Sequence, residues 1–212
     1  MKRLHVEITF VEPILGTGNS NSEIHSEFIA SKAPDAKSRE EEVAAIGAEA
    51  VEEKTTTVFS RDTDGTPIIW NYQVKGFFKE ACGMLQRQKG EKCAKESCKL
   101  KAYKKIIDGC IEPTGDTNYG RKIKLILPDG FEMGKPFQRP LRGQTAQGER
   151  IALASSEILP EGTKAQFYIE VPDAYLAAVE EWMRYGIKHG LGQWRNAGYG
   201  RFAFEVLDSI EV

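Results

Sequence analysis

The chain has 212 residues, 41% hydrophobic and 28% charged, enough to bury a substantial core and short for two full domains. Its net charge of -2 and pI near 6.0 argue against a protein that coats nucleic acid by bulk charge, so any such binding is local. No run approaches the length of a membrane span, and Met1-Lys2-Arg3 leads into an amphipathic strand rather than an apolar signal core, which predicts a cytoplasmic protein with no membrane partner.

In chain order, Leu4 to Phe10 alternates apolar and polar side chains and predicts a half-buried strand, followed by a loop at Gly16 to Ser22. Residues Asp35 to Lys54, rich in Glu and Ala with Val43, Ile46, Ala50 and Val51 near helical spacing, predict a helix with a thin apolar stripe. Thr55 to Phe59 reads as a strand, Asp62 to Gly65 as a hairpin turn and Pro67 to Trp70 as the returning strand. From Gln73 to Gln86, Val74, Phe77, Phe78, Ala81, Met84 and Leu85 recur at three and four, predicting a core helix that begins near Lys75-Gly76. A lysine-dense stretch from Arg87 to Lys105 precedes a strand at Arg121 to Leu127 and a turn at Asp129-Gly130. Phe137 to Thr145 then carries Arg139 and Arg142 ahead of a strand at Arg150 to Ser156. Ala165 to Val171 predicts a strong strand, and Asp173 to Lys188 a capped helix with Leu176, Val179, Trp182, Met183 and Ile187 on its inner stripe. This order is compatible with a split βαβ, α+β arrangement elaborated by insertions.

Charge is segregated along the chain. Residues 21–66 hold 11 acidic and 5 basic side chains, whereas residues 75–124 hold 13 basic and 6 acidic. That polarity predicts a basic face suited to a phosphate backbone, while the acidic stretch reads either as a solvated surface or as a contact for a basic neighbour. The four cysteines, Cys82, Cys93, Cys98 and Cys110, lack the tight pairs of a strong zinc site; only Cys93 and Cys98 are close, leaving them as weak metal candidates. A cytoplasmic setting predicts reduced, partly buried thiols, no metal and no cofactor.

The richest segment is Gly190-Leu191-Gly192-Gln193-Trp194-Arg195-Asn196-Ala197-Gly198-Tyr199-Gly200, two Gly-apolar-Gly triplets around an insert carrying an arginine. Glycine adopts positive φ readily and lets backbone N–H groups converge on an anion, to which Arg195 and Arg201 would add bidentate charge. Arg201-Phe202-Ala203-Phe204-Glu205-Val206 then alternates like a strand, so an ordered loop entering a sheet edge is expected rather than a mobile hairpin. This segment resembles the C-terminal glycine-rich signature of the RAMP superfamily, the RNA-binding proteins of CRISPR systems. Two further segments extend the resemblance. Pro67 to Lys79 is similar to the strand-to-helix entry of the backbone-forming branch, with Lys75-Gly76 at the place of its Lys-Gly pair and Asn71-Tyr72-Gln73 replacing the usual Gly-Ser-Ser. Leu4 to Phe10 with Pro13 to Gly18 is similar to the opening strand and turn.

The resemblance implies a single ferredoxin-like, RRM-like RAMP domain over residues 1–212, with an antiparallel sheet, two main helices and insertions at 21–66 and 87–120. It implies a single-stranded RNA-binding subunit of a CRISPR-like antiviral ribonucleoprotein, partnered by guide RNA and by copies of itself or other effector subunits assembled head to tail. The RNA-binding residues would be Lys75, Gly76, Arg139, Arg142, Gly190, Gly192, Trp194, Arg195, Asn196, Gly198, Tyr199, Gly200 and Arg201, with Trp194 and Tyr199 stacking bases. His189, beside Gly190, would help position a phosphate. An alternative is a metal-independent endoribonuclease using His25, in the loop where processing members place a general base, or Asp35, the counterpart of a cleaving aspartate in the backbone branch. The Lys75-Gly76 entry favours binding without obligatory catalysis. A RAMP-like interaction protein borne by a phage or mobile element, and a single-stranded DNA binder, remain open alternatives.

Overall fold

The computed structural model of the chain describes residues 1–19, 56–88, 96–145 and 148–212. The predicted helix over Asp35 to Lys54, the candidates His25 and Asp35, and Cys93 lie outside the described residues. The chain divides into two compact units, one comprising Met1–Ile14, Ser60–Phe131 and Leu159–Val212, the other Leu15–Phe59 and Glu132–Ile158. The elements begin with β1 (Lys2–Phe10), β2 (Ile14–Leu15), β3 (Gly18–Asn19), β4 (Thr57–Val58), β5 (Ser60–Arg61) and β6 (Pro67–Trp70). Helices α1 (Asn71–Gln86) and α2 (Tyr103–Cys110) follow, then β7 (Glu112–Thr114), β8 (Lys122–Ile126), β9 (Phe137–Thr145), β10 (Gly148–Ser156) and β11 (Ile158–Leu159). The chain closes with β12 (Lys164–Val171), α3 (Leu176–Tyr185) and β13 (Phe202–Glu211).

The first unit is α+β. Its sheet runs β13-β1-β12-β8-β6-β5 with β7 also paired to β12, and every pairing is antiparallel. The period-2 pattern of β1 places Leu4, Val6, Ile8 and Phe10 on the buried face. Register partners share a face, so Phe167 opposite Val6 and Phe202 opposite Phe10 join them. Helix α1 covers this layer with Val74, Phe77, Phe78, Ala81 and Leu85, and α3 with Ala178, Val179, Trp182 and Met183. Phe77 meets Phe202 at 5.1 Å between ring centroids, and Phe78 meets Trp182 at 5.5 Å. Each such buried aromatic contributes roughly 2–3 kcal/mol by removal from water.

Helix α1 starts at Asn71, a turn before the expected position at Lys75-Gly76. Gln73 Oε1 accepts the Trp70 N–H at 2.7 Å and so satisfies a donor that would otherwise be left bare at the helix start. Lys75-Gly76 therefore sits in the second turn. Met84, expected on the apolar stripe, is exposed. Helix α3 stops at Gly186, where a Cβ would stand 2.4 Å from the Phe202 ring, and Ile187 consequently leaves the inner stripe and is exposed. The segment after α1 is fixed by Ser97: Trp182 Nε1 donates to its Oγ at 3.0 Å, that Oγ donates to Glu181 at 2.7 Å, and Gln86 Nε2 donates to the Ser97 and Leu100 carbonyls.

Cys82 is fully buried, and burial pushes its thiol up to about 11, so it is inert core. Cys82 and Cys110 are free thiols, but Cys98 is disulfide-bonded, which corrects the expectation of reduced thiols throughout. That expectation rested on an inferred cell compartment and not on any contact of the thiol; Cys98 lies in the 3₁₀ turn Ser97–Lys99 beside the buried Ser97. Among the described residues no group of three or more His, Cys, Asp or Glu side chains is placed to hold a metal ion.

The second unit is a four-stranded sheet in the order β3-β4-β10-β9. Its β9 covers the stretch expected only to precede a strand. Pro140 is tolerated there because β9 is the edge of the sheet, where a missing N–H need not break a ladder. No helix among the described residues is long and apolar enough to cross a membrane.

Candidate nucleic-acid interface

Between α3 and β13, the glycine-rich segment folds into a turn braced by its own backbone. Leu191 N–H donates to the Gly200 carbonyl at 2.9 Å, and Gly200 N–H donates to the Pro13 carbonyl at 2.8 Å. A Cβ on Gly190 would lie 2.0 Å from the Gly200 carbonyl, and one on Gly200 only 1.8 Å from the Leu191 oxygen. Gly200 also has φ +70°, which disfavours any side chain. These two glycines let the arms of the turn touch, and the buried Leu191 seals its base.

At the tip, Arg195, Asn196 and Ala197 form one 3₁₀ turn between Trp194 and Gly198, both in the left-handed region at φ +53° and +98°. Ala197 and Gly198 N–H groups bond back within that turn, so these donors serve the loop itself. The Trp194 ring, 40% exposed, stacks on Tyr199 at 5.1 Å and 15°. Gly192 has φ +88°, Asn196 is exposed, and the Arg201 guanidinium approaches Gly198 closely enough to lie about 3.4 Å from where a Cβ would be. The Arg201 Nε is buried and without a hydrogen-bond partner among the described residues.

Glu80, on the third turn of α1, anchors the loop. Arg195 ion-pairs with one of its oxygens, and His189 Nε2 lies 3.1 Å from the other, close but not aligned for a hydrogen bond. Lys75 is likewise engaged, its ammonium ion-paired with Glu112 and largely covered. Gly76 is different: it is exposed in the helix interior, and a Cβ there meets nothing within 4 Å. Tyr72, Gly76 and Glu80 follow one another at four-residue spacing and share a helix face. The row begins at an exposed tyrosine stacked parallel to Trp70, crosses a bare glycine and ends at the carboxylate that holds the aromatic loop.

Arg139 and Arg142 belong to the second unit, in β9, with Arg139 half-buried and Arg142 opposite Ile151 in the ladder. The structure thus brings Lys75, Gly76 and the residues from Gly190 to Arg201 into the first unit, and places the β9 arginines in the other. Sequence reasoning missed Glu80 and Tyr72, since a carboxylate 115 residues before its arginine leaves no local signal. It also did not single out the residues on the open face of the sheet, where His5 stacks on Tyr168 at 4.5 Å and Arg3 pairs with Glu170 beside Tyr119. The register pairs His5 with Tyr168 across the two central strands, and their alternation was already visible.

The fold and this loop define an α+β protein with a one-sided helical layer and an aromatic, arginine-bearing turn at the entry to its edge strand. The sequence matches no protein-family model and no curated protein. Among solved structures, the chain is similar to a chain of the type III-B Cmr-beta complex bound to cognate target RNA, with 15% identity and a TM-score of 0.46. That alignment covers 99% of this chain and 61% of the other, so this chain spans less than two thirds of its length. A chain of a type IV-B CRISPR complex is similar with 12% identity and a TM-score of 0.46, covering 96% of this chain and 90% of that one.

Proposed function

We propose that this chain binds single-stranded RNA as a subunit of a CRISPR-like ribonucleoprotein, in the manner of the RAMP backbone branch that its glycine signature resembles. The order β1, α1, β8, β12, α3, β13, with β13-β1-β12-β8 side by side, fits the ferredoxin-like arrangement expected of that family. The observation that carries the reading is the row from Tyr72 across Gly76 to the Glu80-anchored loop. It combines exposed aromatics for stacking with a helix surface stripped of side chain, where a sugar-phosphate backbone can approach closely. Arg201, beside the loop, supplies charge, and Arg195 sets the position of Trp194 through Glu80. Neighbouring subunits would meet β13, an edge strand that exposes Val206, Leu207 and Ile210.

The test is fluorescence anisotropy with a labelled single-stranded RNA and its DNA equivalent across a salt series, for wild type, Trp194→Ala and Gly76→Leu. RNA binding weakened roughly tenfold by each change, with unaltered circular dichroism, supports the reading. Equal affinity for the DNA strand reassigns the chain as a general single-strand binder. Absence of binding to either strand at low salt refutes it as an activity of the isolated chain.

A further inference from the structure

On the open face of the first unit's sheet lies a cavity of about 810 Å³, lined by Trp70, Arg121, Lys122, Lys124, Ile126 and Gln166 and also by the carboxylates Asp62 and Asp116. We infer that this cavity is a nucleoside-phosphate site, in which Trp70 receives the base and Arg121, Lys122 and Lys124 receive the phosphate. The inference deepens the RNA reading by naming where one nucleotide of a bound strand sits, and the same chemistry also fits a free nucleotide. Its volume falls within the range of small-molecule sites, which combine an apolar wall with a few convergent polar groups.

The walls are built in advance. Trp70 and Lys122 are register partners across β6 and β8, so indole and ammonium share one face of the sheet. The indole is fixed by its Nε1–H bond to Ser60 Oγ at 3.0 Å and by the Tyr72 ring lying at 12° to it. Opposite stands the loop from Gly115 to Gly120. Asp116 Oδ1 accepts the N–H groups of Asn118 and Gly120 at 2.8 Å each, and a Cβ on Gly115 would lie 1.8 Å from the Lys122 oxygen. That loop is therefore pressed against β8.

The cations are held in a way suited to exchange. Lys122 Nζ lies 2.8 Å from Asp62, and Lys124 Nζ lies 3.1 Å from Asp62 and 2.7 Å from Asp64, both aspartates belonging to the β5-β6 hairpin. The lysine side chains are 41% and 51% exposed and Asp64 is 50% exposed, while Asp62 is 16% exposed; the ammonium ends stay open to water, which weakens such pairs. Arg121 is exposed and meets no carboxylate among the described residues. The two aspartates stand where phosphate oxygens would, gathering the ammonium groups and yielding them to a stronger acceptor.

Two probes separate the sources of the ligand: a labelled ten-nucleotide polyuridine RNA by anisotropy, and uridine 5′-monophosphate by titration calorimetry. The variants are Arg121→Ala/Lys122→Ala/Lys124→Ala and Asp62→Asn/Asp64→Asn, each with its fold checked by circular dichroism. The triple change is expected to weaken binding roughly tenfold and to flatten the salt dependence by about one unit of slope per lost phosphate contact. The double change is expected to tighten it. Strand binding unchanged in affinity and salt slope in the triple variant overturns the inference and leaves the RNA reading standing. Monophosphate binding lost in the triple variant, with no strand binding by wild type, sustains the site for a free nucleotide and removes the RNA reading. Wild type binding neither probe overturns both.

Discussion

The glycine loop and the open-face cavity both set cations against carboxylates, yet they use them differently. In the loop, one carboxylate on a helix receives the Arg195 guanidinium, with the His189 ring beside it, and so fixes a turn whose glycines already force its shape. His189 is 14% exposed and Arg195 31%, which leaves little room for a ligand to replace Glu80. In the cavity, two carboxylates on a hairpin hold two lysines that are open to water, and a third cation beside them is uncommitted among the described residues. An ion pair seen in a structure is thus a brace or a placeholder according to how much of it water can reach.

Gly200→Ala breaks the comparison hardest. The new Cβ meets backbone at 1.8 Å in a left-handed residue, so the loop has to open at a cost of about 3 kcal/mol, seen as a Tm lower by roughly 10 °C. Glu80→Ala leaves the glycines intact and removes only the anchor. It is expected to cost about 1 kcal/mol and to speed amide hydrogen exchange at Ala197 and Gly198, while exchange in β1 stays constant. Gly76→Ala has the opposite sign: with nothing within 4 Å of the added Cβ, it should stabilise α1 by about 0.5–1 kcal/mol in urea unfolding. A destabilised Gly76→Ala protein would show that this helix face is already covered. The mildest test is the titration of Asp62. Hydrogen bonds from Lys122, the Thr63 backbone and Lys124 lower its carboxyl to about 2, so the hairpin's ion pairs persist down through the pH range where an unfolded aspartate titrates. Their contribution is complete above about pH 4 and is lost as pH falls through 2, and in Lys122→Ala the carbon-13 chemical-shift midpoint of Asp62 should move upward.

Strands β1, β8 and β12 and the apolar stripes of α1 and α3 were legible because hydrophobic periodicity reports which face a residue buries, and β6 because the Asp62 to Gly65 turn announces a returning strand. The start of α1 was not, because it depends on one side chain, Gln73, curling back to the N–H of a tryptophan. Pro140 concealed β9, since a proline is compatible with a strand only at an edge, and edges are set by what pairs with what. In the candidate site the glycines and aromatics were readable, but the assignment of Arg195 was incomplete without Glu80 on a helix far back in the chain. The cavity was hidden for the same reason: Asp62 and Lys122 are 60 residues apart, and neither their spacing nor their surroundings announces the pair.

The three tryptophans occupy three different surroundings: Trp182 is sealed between α1 and α3, Trp194 stands out on the loop, and Trp70 borders the cavity. The chain consequently carries its own optical reporters. Replacing any two by phenylalanine leaves a single emitter whose wavelength and iodide quenching read core, loop or sheet face separately, so one spectrum distinguishes unfolding from loop release and from ligand entry.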